Sequence, residues 1–240
     1  MYLLGLDLET TGLSPEQDEI IEIGYMMWDT SINGPVLIGG ALVKPTVKKL
    51  PQIIVELTGI TDNQLRDFGM GLKDGLLRLS ALASRADYIV AHNGISFDRK
   101  FLTNAYTELN LPFPDKYWID TRTDIAYPRK ITTRKLTYLA AEHGIPTANA
   151  HRAAFDCMMM MQILSKYDVE EVAKRAATSI YEVTADVNFD DKERAKEMGF
   201  HWVAKGKKWK KTYREYDLKR TEFPFATTKE LLNEGGIKGV

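Results

Sequence analysis

The sequence predicts an α/β domain with a mixed β-sheet, followed by a smaller module. Near the N-terminus, apolar segments separated by turn residues indicate an antiparallel hairpin. From residue 72 onward, helical patterns alternate with short apolar strands, as parallel strands of one sheet require. From residue 181 the pattern changes to a strand, a short helix and two strands, which indicates a separate β-α-β-β module.

Each predicted element of the large domain follows from its hydrophobic pattern. Strands are short apolar runs bounded by turn residues, whereas helices repeat apolar residues at helical spacing. The predicted strands span residues 1–9, 20–28, 36–43, 88–91 and 118–121. The predicted helices span residues 51–57, 72–83, 96–109, 135–143 and 153–167. Thr61 or Asp62 is expected to cap a further helical stretch.

Four regions are expected along the chain. Residues 1–168 form the large domain, and a charged helical connector spans residues 169–180. The small module covers residues 181–220. Its predicted elements are strands over 181–189, 200–203 and 208–213 and a helix over 190–198. Residues 221–240 are expected to be a loose tail with one helical turn at 228–233.

The composition indicates a globular protein of a reducing compartment. Hydrophobic residues make up 44% of the 240 residues, which is sufficient for a substantial core. The single cysteine, Cys157, excludes an intramolecular disulfide and a thiolate cluster for zinc. No apolar run reaches about 18 residues and no basic leader precedes the first strand, so neither a membrane span nor a secretory signal is expected. A cytoplasmic location is therefore predicted, with the nucleus as the other reducing setting that fits.

The net charge of −1 conceals a basic segment near the C-terminus. Residues 201–220 contain eight Lys or Arg residues against two acidic ones. Such a cluster is a candidate surface for nucleic-acid phosphates, and the alternative is a solvated hairpin face. The predicted nucleic-acid-binding residues are Lys205, Lys207, Lys208, Trp209, Lys210 and Lys211. Lysines interleaved with aromatic residues suit stacking on bases beside a charged track, although the same aromatics could form a small core.

Two carboxylates on the first strand are the strongest chemical signal. Asp7 and Glu9 are two residues apart, so both side chains project from the same face of the strand. Like charges on a mostly buried strand repel each other, and desolvation adds to that cost. A bound divalent cation would relieve the repulsion, and the alternative is a strand end with two solvated acids.

Two later segments supply further polar side chains. Asp98 lies in the first turn of a predicted helix, after the segment from His92 to Phe97. Asp156 lies on the long helix that follows His151. Taken singly, Asp98 could be an acid favoured by the helix dipole, and Asp156 and His151 could be surface residues. The four acids converge if the first strand is central and both helices pack across its end.

A convergent set of four carboxylates favours hard cations. Oxygen ligands without a Cys or His cluster are typical of Mg²⁺ or Mn²⁺ sites. Two such ions about 3.5–4 Å apart can hold the attacking and leaving oxygens of a phosphoryl displacement. His151 is a candidate general base, because a histidine can accept a proton from water near neutral pH.

Three motifs resemble those of the DnaQ-like DEDDh 3′→5′ exonucleases, in particular exodeoxyribonuclease X-like proteins. They are Asp-x-Glu-Thr-Thr-Gly from Asp7, Asn-x-x-x-Phe-Asp from Asn93 and His-x-Ala-x-x-Asp from His151. The resemblance covers about residues 1–168 and implies a ribonuclease H-like fold. The module resembles small domains appended to some exodeoxyribonuclease X-like proteins, through Arg194-Ala-Lys-x-x-Gly-Phe-x-Trp and Lys208-Trp-Lys.

The resemblance also assigns roles to residues of this sequence. It implies that four carboxylates bind two Mg²⁺ or Mn²⁺ ions, namely Asp7, Glu9, Asp98 and Asp156. It implies that His151 is the general base. Thr10, Thr11, Gly12 and Leu13 are expected against the 3′-terminal nucleotide, with Leu13 as an apolar wedge. Asn93 and Phe97 are expected to line the same pocket.

The predicted function is metal-dependent 3′→5′ exonuclease activity that releases nucleoside 5′-monophosphates from DNA. Single-stranded or frayed ends are the expected substrate, in DNA replication or repair, because the terminal base must leave its partner. One alternative is a 3′→5′ exoribonuclease that trims RNA ends, since 2′-hydroxyl contacts decide that preference. Another is a nucleic-acid-binding adaptor that uses residues 181–220. Proofreading with a polymerase or another replication or repair protein is a further possibility.

Overall fold

The protein divides into two compact units in a computed structural model. The structure describes residues 1–46, 49–128, 130–148, 150–188 and 191–239. The first unit comprises residues 1–172 with the chain end from Lys238, and the second comprises residues 173–237. Among the described helices the longest have 12 residues each, and none is long and apolar enough to cross a bilayer.

A five-stranded mixed sheet forms the centre of the first unit. Its strands are β1 (Tyr2–Thr10), β2 (Ile20–Asp29), β3 (Gly34–Leu42), β4 (Tyr88–Ala91) and β5 (Tyr117–Asp120). Their order is β3-β2-β1-β4-β5, so β1 is the central strand. The β1–β2 and β2–β3 pairs are antiparallel, whereas β1–β4 and β4–β5 are parallel. The predicted mixed sheet, with a hairpin group before the parallel strands, is therefore confirmed.

Seven helices are described up to residue 176, and the last of them crosses the sequence boundary between the two units. They are α1 (Gln52–Thr58), α2 (Asp62–Phe68), α3 (Leu72–Ala83), α4 (Asp98–Glu108), α5 (Leu136–Glu142), α6 (Ala153–Leu164) and α7 (Val169–Ala176). Thr61, one of the two predicted caps, starts α2 with a capping box: its hydroxyl accepts from the Gln64 amide, and the Gln64 side chain accepts from the Thr61 amide.

Helix α6 packs directly on β1 and β2, and a glycine permits the close approach. Gly24 of β2 lies opposite Asp7 of β1 in the sheet register. A Cβ atom added at Gly24 would be 2.2 Å from the carbonyl carbon of Ala153, the first residue of α6. Only glycine therefore fits where the start of this helix meets the sheet.

Replacing Gly24 by alanine should destabilise the fold by about 1–3 kcal/mol or more, because the new methyl group would overlap the α6 backbone. Urea unfolding would measure the change. Gly34→Ala is the matched control, since its added Cβ would meet no heavy atom closer than 3.7 Å. Equal stability of the two variants would contradict the packing argument.

The second unit contains a four-stranded sheet of order β7-β8-β6-β9. Its elements are β6 (Ile180–Asp186), α8 (Lys192–Glu197), β7 (His201–Val203), β8 (Lys208–Arg214), α9 (Glu215–Leu218) and β9 (Ala226–Asn233). Its core residues are Val183, Ala185, Ala195, Phe200, Tyr213 and Leu218. Residues 189 and 190, where the sequence predicts a strand end and a helix start, lie outside the described residues.

The predicted helical turn at 228–233 is wrong, because these residues belong to strand β9. Strand β9 pairs antiparallel with β6, on the side of β6 opposite β8. The side chains of β9 are mostly exposed and do not alternate between buried and exposed, so its sequence lacks the period of a half-buried strand. Backbone pairing with β6, which local sequence cannot reveal, decides the conformation.

Candidate active site

Three carboxylates from two elements meet at the end of the central strand. Asp7 and Glu9 point from one face of β1, and Asp156 lies in the first turn of α6. One oxygen of each carboxylate lies within 4.8 Å of the others. This spacing approaches that of oxygen ligands around one divalent cation.

Asp98 lies beside this group through a different contact. It is the first residue of α4, it is buried, and its Oδ1 accepts a hydrogen bond of 2.9 Å from the Leu8 amide. Leu8 is the residue between Asp7 and Glu9, so Asp98 lies against the same stretch of β1. Its negative charge is the second cause, after burial, of the raised pKa of Asp7.

Burial raises the pKa values of all four acids, and the charges of neighbouring acids raise them further. Burial, followed by the charges of Asp98 and Asp156, holds the pKa of Asp7 well above its usual range. Burial raises the pKa of Glu9 to about 8, that of Asp98 to about 7 and that of Asp156 to about 6. Near neutral pH these groups would therefore share protons unless positive charge were supplied.

The oxygen chemistry of the group fits a divalent cation. Asp156 Oδ1 is buried and has no hydrogen-bond partner in the described part of the chain, although a buried carboxylate oxygen normally has one. The acids of the group offer oxygen ligands only, which Mg²⁺ and Mn²⁺ prefer. An ion between Asp7, Glu9 and Asp156 would satisfy this oxygen and offset the repulsion.

His151 lies at the edge of the same site. It is exposed, it adopts a left-handed backbone conformation with φ 65°, and its amide donates to Asp156 Oδ2 at 3.3 Å. A cavity of about 650 Å³ lies here. Its lining includes His92, Arg122, Arg134, Lys135, His151 and Asp156. The cavity brings basic side chains and two histidines next to a carboxylate of the acidic group.

A comparison with protein families shows which family the chain belongs to. The family model described as Exonuclease, that of the RNase T family, matches residues 4–164. The chain belongs to this exonuclease family. The predicted DEDDh-type membership is thereby confirmed, and the chain carries a 3′→5′ exonuclease domain, whose family uses divalent metal ions.

Curated relatives of this exonuclease domain include much longer proteins. The "3'-5' exonuclease DinG" of Staphylococcus haemolyticus (strain JCSC1435) is 30% identical over 192 residues, which are 77% of this chain and 20% of the relative. The protein of the same name from Staphylococcus aureus (strain USA300) is 29% identical over 192 residues, with the same coverage. The chain thus spans about a fifth of the length of these relatives.

Solved exonuclease structures share the fold. The Escherichia coli ExoI–ssDNA complex superposes with a TM-score of 0.62 at 19% identity, covering 77% of this chain and 48% of that chain. The nuclease domain of 3'hExo, described as a DEDDh family member bound to rAMP, superposes with a TM-score of 0.59 at 22% identity. That match covers 69% of this chain and 90% of the other. The ribonuclease H-like architecture is therefore confirmed.

The turn after β1 is organised by Asp18. Thr10 and Thr11 are buried; the Thr10 hydroxyl donates to the Gly12 carbonyl, and that of Thr11 donates to Asp18 Oδ1 at 3.2 Å. Gly12 lies against the Asp18 carboxylate, since an added Cβ would be 2.4 Å from its Oδ2. Leu13 is 84% exposed at the tip. In this exonuclease domain both threonine hydroxyls thus support the turn, and Leu13 is accessible.

Asn93 and Phe97 occupy the turn between β4 and α4. Asn93 has a φ of 67°, its amide donates to Asp120 Oδ1 at 2.9 Å, and its Oδ1 accepts from Arg122 Nη1 at 2.8 Å. The half-buried Phe97 ring packs on Phe101 with centroids 4.9 Å apart. The sequence analysis did not single out Asp120, which is buried at the end of β5 and holds this turn through backbone amides.

Glu22 is a second buried acid that sequence reasoning missed. It lies opposite Glu9 on β2, and its carboxylate pairs with Arg152 at 2.9 Å and accepts from the Ala153 amide at 3.0 Å. It therefore ties β2 to the start of the helix that carries Asp156. A lone glutamate within the apolar run of β2 was the available sequence signal.

The six predicted nucleic-acid-binding residues have different environments in the second unit. The exposed members are Lys205, Lys207 and Lys208. Trp209 is half-buried, Lys210 forms an ion pair with Glu182, and the Lys211 ammonium donates to the Met198 carbonyl at 2.7 Å. Both Lys210 and Lys211 are half-buried. These two lysines thus have structural contacts within the unit, whereas the three exposed ones face solvent.

Magnesium should stabilise the protein by roughly 5–10 °C near pH 8 at saturation, and by less near about pH 5. The raised carboxylate pKa values mean that the folded state holds more protons than the unfolded state between about pH 4 and 8, so metal-free stability falls as pH rises through this window. Protons compete with the ion at the lower pH. Thermal unfolding in Mg²⁺ and in chelator measures both trends, and an equal shift at the two pH values would contradict them.

Proposed function

We propose that this chain is an active 3′→5′ exonuclease that removes nucleoside 5′-monophosphates from single-stranded or frayed DNA 3′ ends, in replication or repair. The convergence of Asp7, Glu9 and Asp156 beside the basic cavity at His151 is the observation that carries the proposal. The fold shared with ExoI, whose structure contains single-stranded DNA, supports the choice of substrate.

Asp7, Glu9 and Asp156 would hold the metal, with Asp98 completing a pair of sites. Asp7 and Asp156 are the proposed ligands nearest the attacking water, and Glu9 and Asp98 are those of the second position. Two Mg²⁺ ions, or Mn²⁺, would neutralise the charge that develops on the scissile phosphate. Two observations support this assignment: three of these carboxylates lie close together, and Asp156 Oδ1 has no hydrogen-bond partner among the described residues.

His151 is the proposed general base. Its exposure and its place in the cavity lining leave a ring nitrogen accessible to a water molecule near Asp156. The imidazole would take one proton of that water while its oxygen attacks phosphorus. The bond from phosphorus to the 3′ oxygen of the preceding nucleotide would then break, and this oxygen would take a proton from solvent, which gives a 5′-monophosphate and a new 3′ hydroxyl.

The 3′-terminal nucleotide is proposed to lie against the turn after β1. Thr10, Thr11 and Gly12 would contact it through the backbone, because both threonine hydroxyls already have partners. Leu13 is exposed enough to serve as a wedge beneath the terminal base. Asn93 and Phe97 would line the other side of this pocket.

Digestion of matched DNA and RNA oligonucleotides, labelled at the 5′ end and incubated with Mg²⁺, tests the proposal. We expect the DNA to shorten stepwise from its 3′ end, with release of deoxynucleoside 5′-monophosphates, and chelator to stop the reaction. Preferential shortening of the RNA would reassign the substrate to RNA. Lack of shortening of either strand by the folded, Mg²⁺-loaded protein would refute exonuclease function.

A further inference from the structure

A cavity of about 460 Å³ lies within the second unit, and none of its lining residues belongs to the carboxylate site. It is formed by the end of β6, helix α8 and the β7–β8 hairpin. Its aromatic and basic lining residues are Lys192, Lys196, Trp202, Lys207, Lys208 and Trp209. A volume of this size falls in the usual range of small-ligand sites and can accommodate one nucleotide.

Two tryptophans provide the flat apolar surface of this cavity. Trp202 of β7 and Trp209 of β8 are directly opposite each other in the hairpin, with ring centroids 5.5 Å apart and planes tilted by 58°. Trp202 is nevertheless 50% exposed, while Phe200 and Tyr213 fill the core of the unit. An indole that remains half-exposed at the mouth of a cavity is available for stacking on a planar ring.

The lysines that line the cavity differ in the contacts that they make within the unit. Lys196 pairs with Glu193 at 2.7 Å, and its ammonium lies 5.8 Å from the centre of the Trp209 ring. Lys207 and Lys208 are exposed in the hairpin, where Lys207 has a φ of 49°. Among the described lining residues Asp186 is the one acid, and the two exposed lysines Lys207 and Lys208 outnumber it. A base with its attached phosphate combines a planar ring and negative charge, which matches this lining.

We propose that this cavity binds one unstacked base of a single-stranded nucleic acid. The base stacks on Trp202, and Lys207 and Lys208 contact the adjoining phosphates. The inference rests on the proposed function only in taking a nucleic-acid strand as the ligand. The proposed phosphate contacts within the basic segment are limited to Lys207 and Lys208. Lys210 and Lys211 are left out because they are engaged with Glu182 and a backbone carbonyl. The cavity increases the affinity of the protein for the strand and contributes no catalytic group to hydrolysis.

The proposal is tested by measuring how tightly the full chain binds single-stranded DNA under conditions in which the DNA is not hydrolysed. Asp7→Asn serves as the background so that the strand stays intact, and fluorescence anisotropy of a labelled oligothymidine reports affinity. We expect Trp202→Ala to weaken binding about tenfold, and Trp202→Phe to retain most of it, because an aromatic face remains. The Lys207→Gln/Lys208→Gln variant should reduce the slope of log affinity against log salt by about 1.4. Lys229→Gln, an exposed lysine on β9 outside the cavity lining, is the matched charge control and should leave binding unchanged.

Three outcomes would overturn the inference. One is unchanged affinity of the folded Trp202→Ala protein, and another is an unchanged salt slope in the double lysine variant, which tests the site even if the tryptophan variant fails to fold. The third is equal competition by polyglutamate, which would make the surface a general acidic-peptide site. Because no hydrolysis is measured, the two proposals fail separately: an inactive wild type with Trp202-dependent binding refutes only the exonuclease, and an active wild type without that dependence refutes only the cavity.

Discussion

Replacing Asp7 by asparagine should reduce nucleotide release from a DNA 3′ end by roughly 10³-fold or more. The charges of Asp98, Asp156 and Glu9 all raise the pKa of Asp7, so this carboxylate interacts with every other acid of the proposed site. An amide in its place offers a neutral oxygen and weakens the attraction of the site for a cation. Metal stabilisation of transition-state charge is worth several kcal/mol, which corresponds to this factor in rate.

The same substitution should stabilise the protein when metal is absent. Asparagine removes a charge that burial and four neighbouring acids disfavour, so repulsion within the site decreases. The Asp7 residue keeps some solvent contact, and we therefore expect a gain of only about 1 kcal/mol. Magnesium should in turn lose most of its stabilising effect on this variant.

Opposite changes in activity and stability distinguish a metal-site role from damage to the fold. Oligonucleotide digestion and thermal unfolding with and without Mg²⁺ measure the two quantities. Asp67→Asn is the matched control, because Asp67 is an exposed acid on α2 that pairs with Arg66. Normal turnover by Asp7→Asn would exclude the site, and lost activity together with lower metal-free stability would mean that Asp7 is structural.

Local geometry explains why part of the site was predictable from sequence. The two-residue period of a strand places Asp7 and Glu9 on one face regardless of how the strand packs. Their proximity could therefore be predicted without tertiary information. The meeting of Asp156 with them depends on where α6 packs, which the motifs suggested through resemblance alone. The glycine that permits this packing, Gly24, reads in the sequence only as an interruption of an apolar strand.

Contacts between distant elements account for what the sequence did not reveal. Strand β9 forms because β6 has an edge to pair, although its own residues show no strand period. Lys210 was predicted as a nucleic-acid contact because it lies in a basic run, yet its ammonium pairs with Glu182 on the neighbouring strand. Neither the pairing of strands nor the partner of a lysine follows from a charge count.

Glu22→Ala should lower exonuclease activity by roughly 10–100-fold, the usual effect of removing a residue that orients a metal ligand. The Glu22 carboxylate accepts hydrogen bonds from Arg152 Nε and Nη2 and from the Ala153 amide. Together these contacts fix the first turn of α6, which carries Asp156. Without them the Ala153 amide loses its partner, and we expect a destabilisation of about 2 kcal/mol, since Arg152 is 37% exposed and can reach water.

The charge of Glu22 also changes the pKa of a proposed metal ligand. This electrostatic effect can be tested separately from the support that Glu22 gives to α6. Glu22 raises the pKa of Glu9, whereas Arg152 lowers it. Glu22→Gln, which keeps an oxygen for the Ala153 amide, should therefore shift the pH dependence of activity at limiting Mg²⁺ toward acid, and Arg152→Gln should shift it toward alkali. Because protons and Mg²⁺ compete for the same carboxylates, the Mg²⁺ concentration for half-maximal activity should move in parallel. Equal losses in both variants, without opposite shifts, would mean that the pair only supports the fold.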